Sequence, residues 1–147
     1  QPLPPWAMLR PQAQAKGLAL HFRAGNTPIV LPTDRRSVTQ IVINLVANGI
    51  KFTHKGSVSV ELVKTAGEGV LPVVEIRITD TGIGIAADGL AKLFDAFNRG
   101  NAAAIAGIEG TGLGLHLSQR LAQALGGSIS VQSVAGQGSC FTLRLGG

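Results

Sequence analysis

The chain has 147 residues, 45% of them hydrophobic, 14% charged and 4% aromatic, with 20 glycines that follow no period of three, which excludes both collagen and wholesale disorder. One cysteine, Cys140, excludes a disulfide framework and a cysteine-based metal cluster, and no apolar run approaches the roughly 18 residues of a membrane-spanning helix. The net charge of +5 is scattered, densest only at Arg35-Arg36, and with no Tyr, one Trp and five Phe the chain has no basic stripe and few of the stacking rings expected of a nucleic-acid surface. The expectation is one cytoplasmic domain with no nucleic-acid partner and no direct membrane insertion, whose basic surface is compatible with an anionic ligand.

Pro2, Pro4, Pro5 and Pro11 keep the start from reading as a regular helix, so residues 1–15 are expected to be a linker and residues 16–147 the domain. Leu18–Phe22 and Ile29–Leu31 are short strand candidates around a Gly25-Asn26 turn. Thr33 or Asp34 can cap the next helix, where Val38, Ile41, Val42, Leu45, Val46 and Ile50 fall at the steps of one buried face, and Gly56 closes that region. Val58, Val60 and Leu62 alternate as a strand, and Val73–Ile78 forms another after a turn at Glu68-Gly69. A glycine-rich turn, Asp80 to Ile85, leads to a short helix expected from about Gly89 to Ala96, and Asn98 to Gly110 reads as a loop. The last long helix opens at Gly110 to Gly114, carries Leu115, Leu117, Leu121 and Leu125 as its apolar stripe, and stops at Gly126-Gly127. Ile129 and Val131, then Phe141, Leu143 and Leu145, supply a closing hairpin around Gly136 to Gly138. Strands and helices without regular alternation make this an α+β two-layer sandwich.

Two kinds of segment carry chemistry. The glycine runs at Gly82-Gly84 and Gly110-Gly112-Gly114 adjoin helix starts, where free N–H groups favour phosphate, yet neither is a P-loop or a dinucleotide fingerprint, and each alone could be ordinary turn chemistry. Asn44 and Asn48 share one face of an otherwise apolar helix, with Lys51 and Phe52 further along. Their carboxamides suit a hard cation and the ammonium suits phosphate; a structural pair that ties the helix to its neighbours is the alternative.

Taken together and in order, Asn44-Leu-Val-Ala-Asn48-Gly-Ile-Lys51-Phe52-Thr53, Asp80-Thr-Gly-Ile-Gly84, Phe94-Asp-Ala-Phe97 and Gly110-Thr111-Gly112-Leu113-Gly114 closely resemble the N, G1, F and G2 boxes of the catalytic ATP-binding domain of sensor histidine kinases. The ending, Gly126 to Ser133 and then Gly136-x-Gly-Ser-x-Phe141, is similar to hybrid members of that family. The resemblance covers about Lys16 to Gly147 and implies the Bergerat ATP-binding fold, a mixed sheet covered on one face by helices, shared with the gyrase, Hsp90 and MutL ATPases. It implies ATP and Mg²⁺ as ligands. Asp80 would bond the adenine amino group and Gly84 would let the backbone approach the base, with Gly82 in the same nucleotide-binding set. Asn48 would be the metal ligand, Lys51 would touch the phosphates and Phe52 would line the pocket. Gly110, Thr111, Gly112, Leu113 and Gly114 would form the hinge and phosphate cradle of a lid that Phe94 and Phe97 anchor. Those two are otherwise a helical apolar pair. Arg99 matches an arginine that can reach the γ-phosphate, with a surface arginine the equal alternative.

Asn44 stands where the related ATPases have a water-activating Glu, and an amide cannot serve as a general base. That favours phosphoryl transfer to a histidine over hydrolysis, with Asn44 facing the same pocket as Asn48. None of His21, His54 and His116 lies in the family's acceptor box, so the resemblance implies a partner: the histidine-bearing dimerisation hairpin, followed by a downstream response regulator. A self-contained ATPase and a degenerate nucleotide-binding regulatory module are the rival readings.

Overall fold

A computed structural model describes residues 8–24, 34–65, 73–89, 91 and 113–145. The elements are α1 (Arg10–Ala15), β1 (Ala19–Ala24), α2 (Arg35–Phe52), β2 (Ser57–Thr65), β3 (Val73–Asp80), α3 (Leu113–Ala124), β4 (Ser128–Val134) and β5 (Gly138–Leu145). The strands form one mixed sheet in the order β1-β2-β3-β5-β4, with β1 and β2 parallel and the other pairs antiparallel. The two-layer α+β expectation is met. The strand candidate at Ile29–Leu31, the Glu68-Gly69 turn, the Asn98–Gly110 loop and most of the Gly89–Ala96 helix lie outside the described residues; residues 87–89 and 91 are helical.

α2 begins at Asp34, whose carboxylate accepts from the Arg36 N–H at 2.9 Å and the Ser37 hydroxyl at 3.1 Å. Such a cap is worth about 1 kcal/mol over alanine. Val38, Ile41, Val42, Leu45, Val46 and Ile50 are all buried, forming the core with Val58, Val60, Ile76, Ile78 and Leu143 from the sheet. α3 packs beside α2 on the same layer, and here the expected stripe needs correction. Leu115 is buried but Leu117 is 45% exposed, while Ser118, Gln119 and Ala122 are buried. Residues 115 and 117 are about 200° apart on a helix, whereas steps of three and four return to one face. The helix ends as expected: the Gly127 N–H reaches the Ala122 carbonyl and the Gly126 N–H the Gln123 carbonyl, a Schellman closure with Gly126 at φ +75°.

The expected linker also differs. Pro11 sits in the first turn of α1, where its missing N–H is not needed, so it starts a helix instead of preventing one. Leu9 and Ala13 are buried in the core, and Gly17, at φ +72°, closes the helix by the same double bond pattern. The folded unit therefore reaches back to Leu9.

Candidate functional site

The register of β3, β5 and β4 sets three polar residues in one row across the sheet: Asp80 opposite Ser139, and Ser139 opposite Ser133. Beneath it lie the apolar rows Ile78–Phe141–Val131 and Ile76–Leu143–Ile129. Asp80, only 7% exposed, accepts from the Gly82 N–H at 2.9 Å. Burial is the larger influence and raises its pKa above the ordinary carboxylate value, while donation from the Gly82 and Ser139 backbone N–H groups opposes the rise. The Thr53 hydroxyl, fully buried beside the same carboxylate, opposes the rise as well. Ser133 Oγ accepts from the Ile85 N–H at 2.7 Å, donates to the Gly138 carbonyl at 2.9 Å and lies 2.7 Å from Ser139 Oγ.

Above this row opens a cleft of about 250 Å³, lined by Asn48 and Phe52 from α2, Asp80, Ser139 and Phe141 from the sheet, Ile83 to Ala86 from the following loop and Leu115 from α3. Asn48 and Phe52 lie one turn apart, so both face it. The end of α2 is fastened from the α1–β1 side: the Lys16 ammonium donates to the carbonyls of Ile50 at 2.7 Å and Lys51 at 3.2 Å. Both carbonyls lie at the negative end of a helix, where a cation is favoured, and that of Ile50 also accepts from the Thr53 N–H at 3.4 Å. Lys51 itself is exposed, its ammonium 5.4 Å from the centre of the Phe52 ring.

Of the residues picked out from the sequence, Asn48, Phe52, Asp80 and Gly84 meet in this cleft, with Lys51 beside Phe52. Gly82 sits behind it: a Cβ there would come within 2.4 Å of the Phe52 carbonyl. At Gly84, at φ +70°, a Cβ would meet the Val134 carbonyl at 2.1 Å, so within the protein it is contact with the β4–β5 hairpin that demands glycine there. Asn44 makes two side-chain bonds of its own. It is not among the cleft's described lining; its amide accepts from Gln40 Nε2 at 2.9 Å and donates to the buried Ser118 Oγ at 3.3 Å, bridging α2 to α3. These two bonds are of the kind that the structural alternative describes. Leu113 and Gly114 begin α3, and Phe94, Phe97, Arg99, Gly110, Thr111 and Gly112 lie outside the described residues. Ser139, Ile83, Ile85, Leu115 and Phe141 line the cleft without having been picked out as site residues. The Gly-Ser-x-Phe ending was the available signal for two of them.

A family model described as histidine kinase-, DNA gyrase B- and HSP90-like ATPase matches residues 33–146. Among curated relatives, the chain is 36% identical over 137 residues to the sensor histidine kinase AtsR of Burkholderia thailandensis, covering 93% of this chain and 23% of that protein. It is 37% identical over 141 residues to the sensor protein GacS of Pseudomonas syringae pv. syringae, covering 94% and 15%. The chain thus spans less than a quarter of the length of these relatives. Among solved structures, full-length ShkA in complex with AMPPNP superposes with a TM-score of 0.79 at 29% identity, over 96% of this chain and 28% of that one. The catalytic domain of histidine kinase ThkA shares the fold at a TM-score of 0.72 and 19% identity, over 97% and 88%. With four sequence boxes in order, the sheet and helix layer that place the first two on one cleft, and these matches over most of its length, the chain belongs to the family of histidine kinase-, DNA gyrase B- and HSP90-like ATPases, as a catalytic domain of the sensor histidine kinase kind.

Proposed function

We propose that this domain binds Mg-ATP in the cleft, with the adenine amino group on Asp80, and serves a cytoplasmic phosphorelay by passing the γ-phosphoryl group to a histidine on a dimerisation hairpin. A response regulator would then receive it. The observation that carries the reading is a buried acceptor, Asp80, at the base of a cleft walled by Ile83, Ile85, Leu115 and Phe141. Apolar walls with one placed acceptor suit a flat base that offers a donor.

Asn48 fits the metal. It faces the cleft, no other described residue hydrogen-bonds its carboxamide, and an amide oxygen is a hard donor. When bound, the ion would neutralise charge on the phosphates. Among the described residues no group of three His, Cys, Asp or Glu could hold a metal without the nucleotide. The chain's own part is positioning: Asp80 fixes the base, Phe52 covers the cleft wall, and Lys51 adds positive charge beside it. An imidazole nitrogen from outside attacks the γ-phosphorus, the bond to the β-phosphate oxygen breaks, ADP leaves, and the imidazole proton passes to solvent.

Calorimetry with ATP and with GTP in the presence of Mg²⁺ tests the binding half. ATP should bind at least about tenfold more tightly, since guanine brings a carbonyl to the place where the acceptors need a donor. Labelled ATP tests the transfer half. The chain alone should stay unlabelled, and adding the dimerisation hairpin of its parent should give acid-labile, base-stable label on the hairpin. Equal affinity for the two nucleotides, or stable label on His21, His54 or His116, would overturn the corresponding half.

A further inference from the structure

The hydroxyl of Ser133 is saturated, and its proton can be followed. A serine hydroxyl has one proton to give and two lone pairs to receive. The Ile85 N–H, 2.7 Å away, takes one lone pair. The Gly138 carbonyl, 2.9 Å away, is an acceptor only, so the Ser133 proton goes there. The remaining neighbour is Ser139 Oγ at 2.7 Å, which must therefore donate its own proton to Ser133. Ser139 is left with lone pairs alone to offer the cleft that it lines, next to Asp80 in the cross-strand row.

We infer that Ser133 is a specificity-determining positioning residue: by holding the Ser139 proton, it makes the Asp80 end of the cleft a pair of acceptors, suited to an exocyclic amino group and opposed to a carbonyl. The inference rests on the nucleotide reading above and deepens it. An amino group carries two N–H bonds, one for each acceptor. A carbonyl in its place faces two acceptors and finds no donor, a mismatch that binding sites reject strongly. Without the Ser133 hydroxyl, the Ser139 proton is free to turn toward such a carbonyl.

The test compares ATP with inosine triphosphate, whose base carries a carbonyl in place of the amino group, by calorimetry with Mg²⁺. Ser133→Thr and Ser133→Val have nearly the same shape and differ in the hydroxyl. Ser133→Thr should keep the parent's preference for ATP. Ser133→Val should narrow it by at least about threefold, mainly through tighter binding of inosine triphosphate, the scale of one recovered hydrogen bond. Equal weakening of both nucleotides by Ser133→Val would mean a merely structural role and overturn the inference, as would an unchanged ratio. Should Ser133→Val fail to fold, Ser139→Ala serves instead: it deletes the second acceptor and must also narrow the ratio. A parent that binds ATP without preferring it over inosine triphosphate defeats this inference and leaves ATP binding standing. A parent that binds neither defeats both.

Discussion

At Asp80 burial and hydrogen bonding act in opposite directions, and burial prevails, so the folded state holds this proton more tightly than the unfolded chain does. Stability contributed by the protonated form is then lost as pH rises from the ordinary carboxylate value through the raised one. Nucleotide binding has the opposite dependence. An amino donor favours the ionised acceptor, so ATP affinity should fall on acidification, beginning above the pH at which an ordinary aspartate titrates. Asp80→Asn should remove that dependence and weaken ATP by roughly 1.5–3 kcal/mol, the scale of a hydrogen bond to a charged acceptor. Affinity measured from neutral pH downward on both proteins checks it; a pH profile shared by parent and variant would remove Asp80 from recognition. Asp80 was legible through its box, Asp80-Thr-Gly-Ile-Gly84, taken with the other three in order. Ser139 and Ser133 were not picked out as site residues: the hairpin turn pairs them with each other, but the pairing of β5 with β3, far away in sequence, is what sets them beside Asp80.

Between elements, the Asn44–Ser118 bond joins the two helices that cover the sheet. Ser118 is fully buried, so losing its partner leaves a hydroxyl without water to replace it. Asn44→Ala should cost about 1–2 kcal/mol in urea unfolding, and a cycle with Ser118→Ala should show the two losses to be non-additive. Additive losses would mean that the bridge contributes nothing. The face of α2 was readable because its apolar residues repeat at three and four. The direction of one polar residue on that helix was not, because it depends on a second helix 74 positions away. α3 misled through Leu117, an apolar residue on the outer side, while Ser118 and Gln119 took inner positions that hydropathy assigns to leucines. α1 was hidden by its prolines, whose penalty vanishes in a first turn.

Among the described residues the order β1-β2-β3-β5-β4 puts β3 in the middle, paired on both sides, and β1 at an edge with one neighbour. Elements with few partners open more cheaply than the global transition. In native-state hydrogen exchange the amides of Ala19–Ala24 should therefore exchange through a lower free energy than those of Val74–Ile78; a single shared value would show that the edge and centre open as one. Lys16 gives that difference a consequence. It lies between α1 and β1, and its ammonium holds the last carbonyls of α2. An excursion that lifts the edge should also release the turn bearing Lys51 and Phe52, with β3 still paired on both sides, so solvent deuterium should enter the end of α2 on the schedule of the sheet's margin and well ahead of its centre.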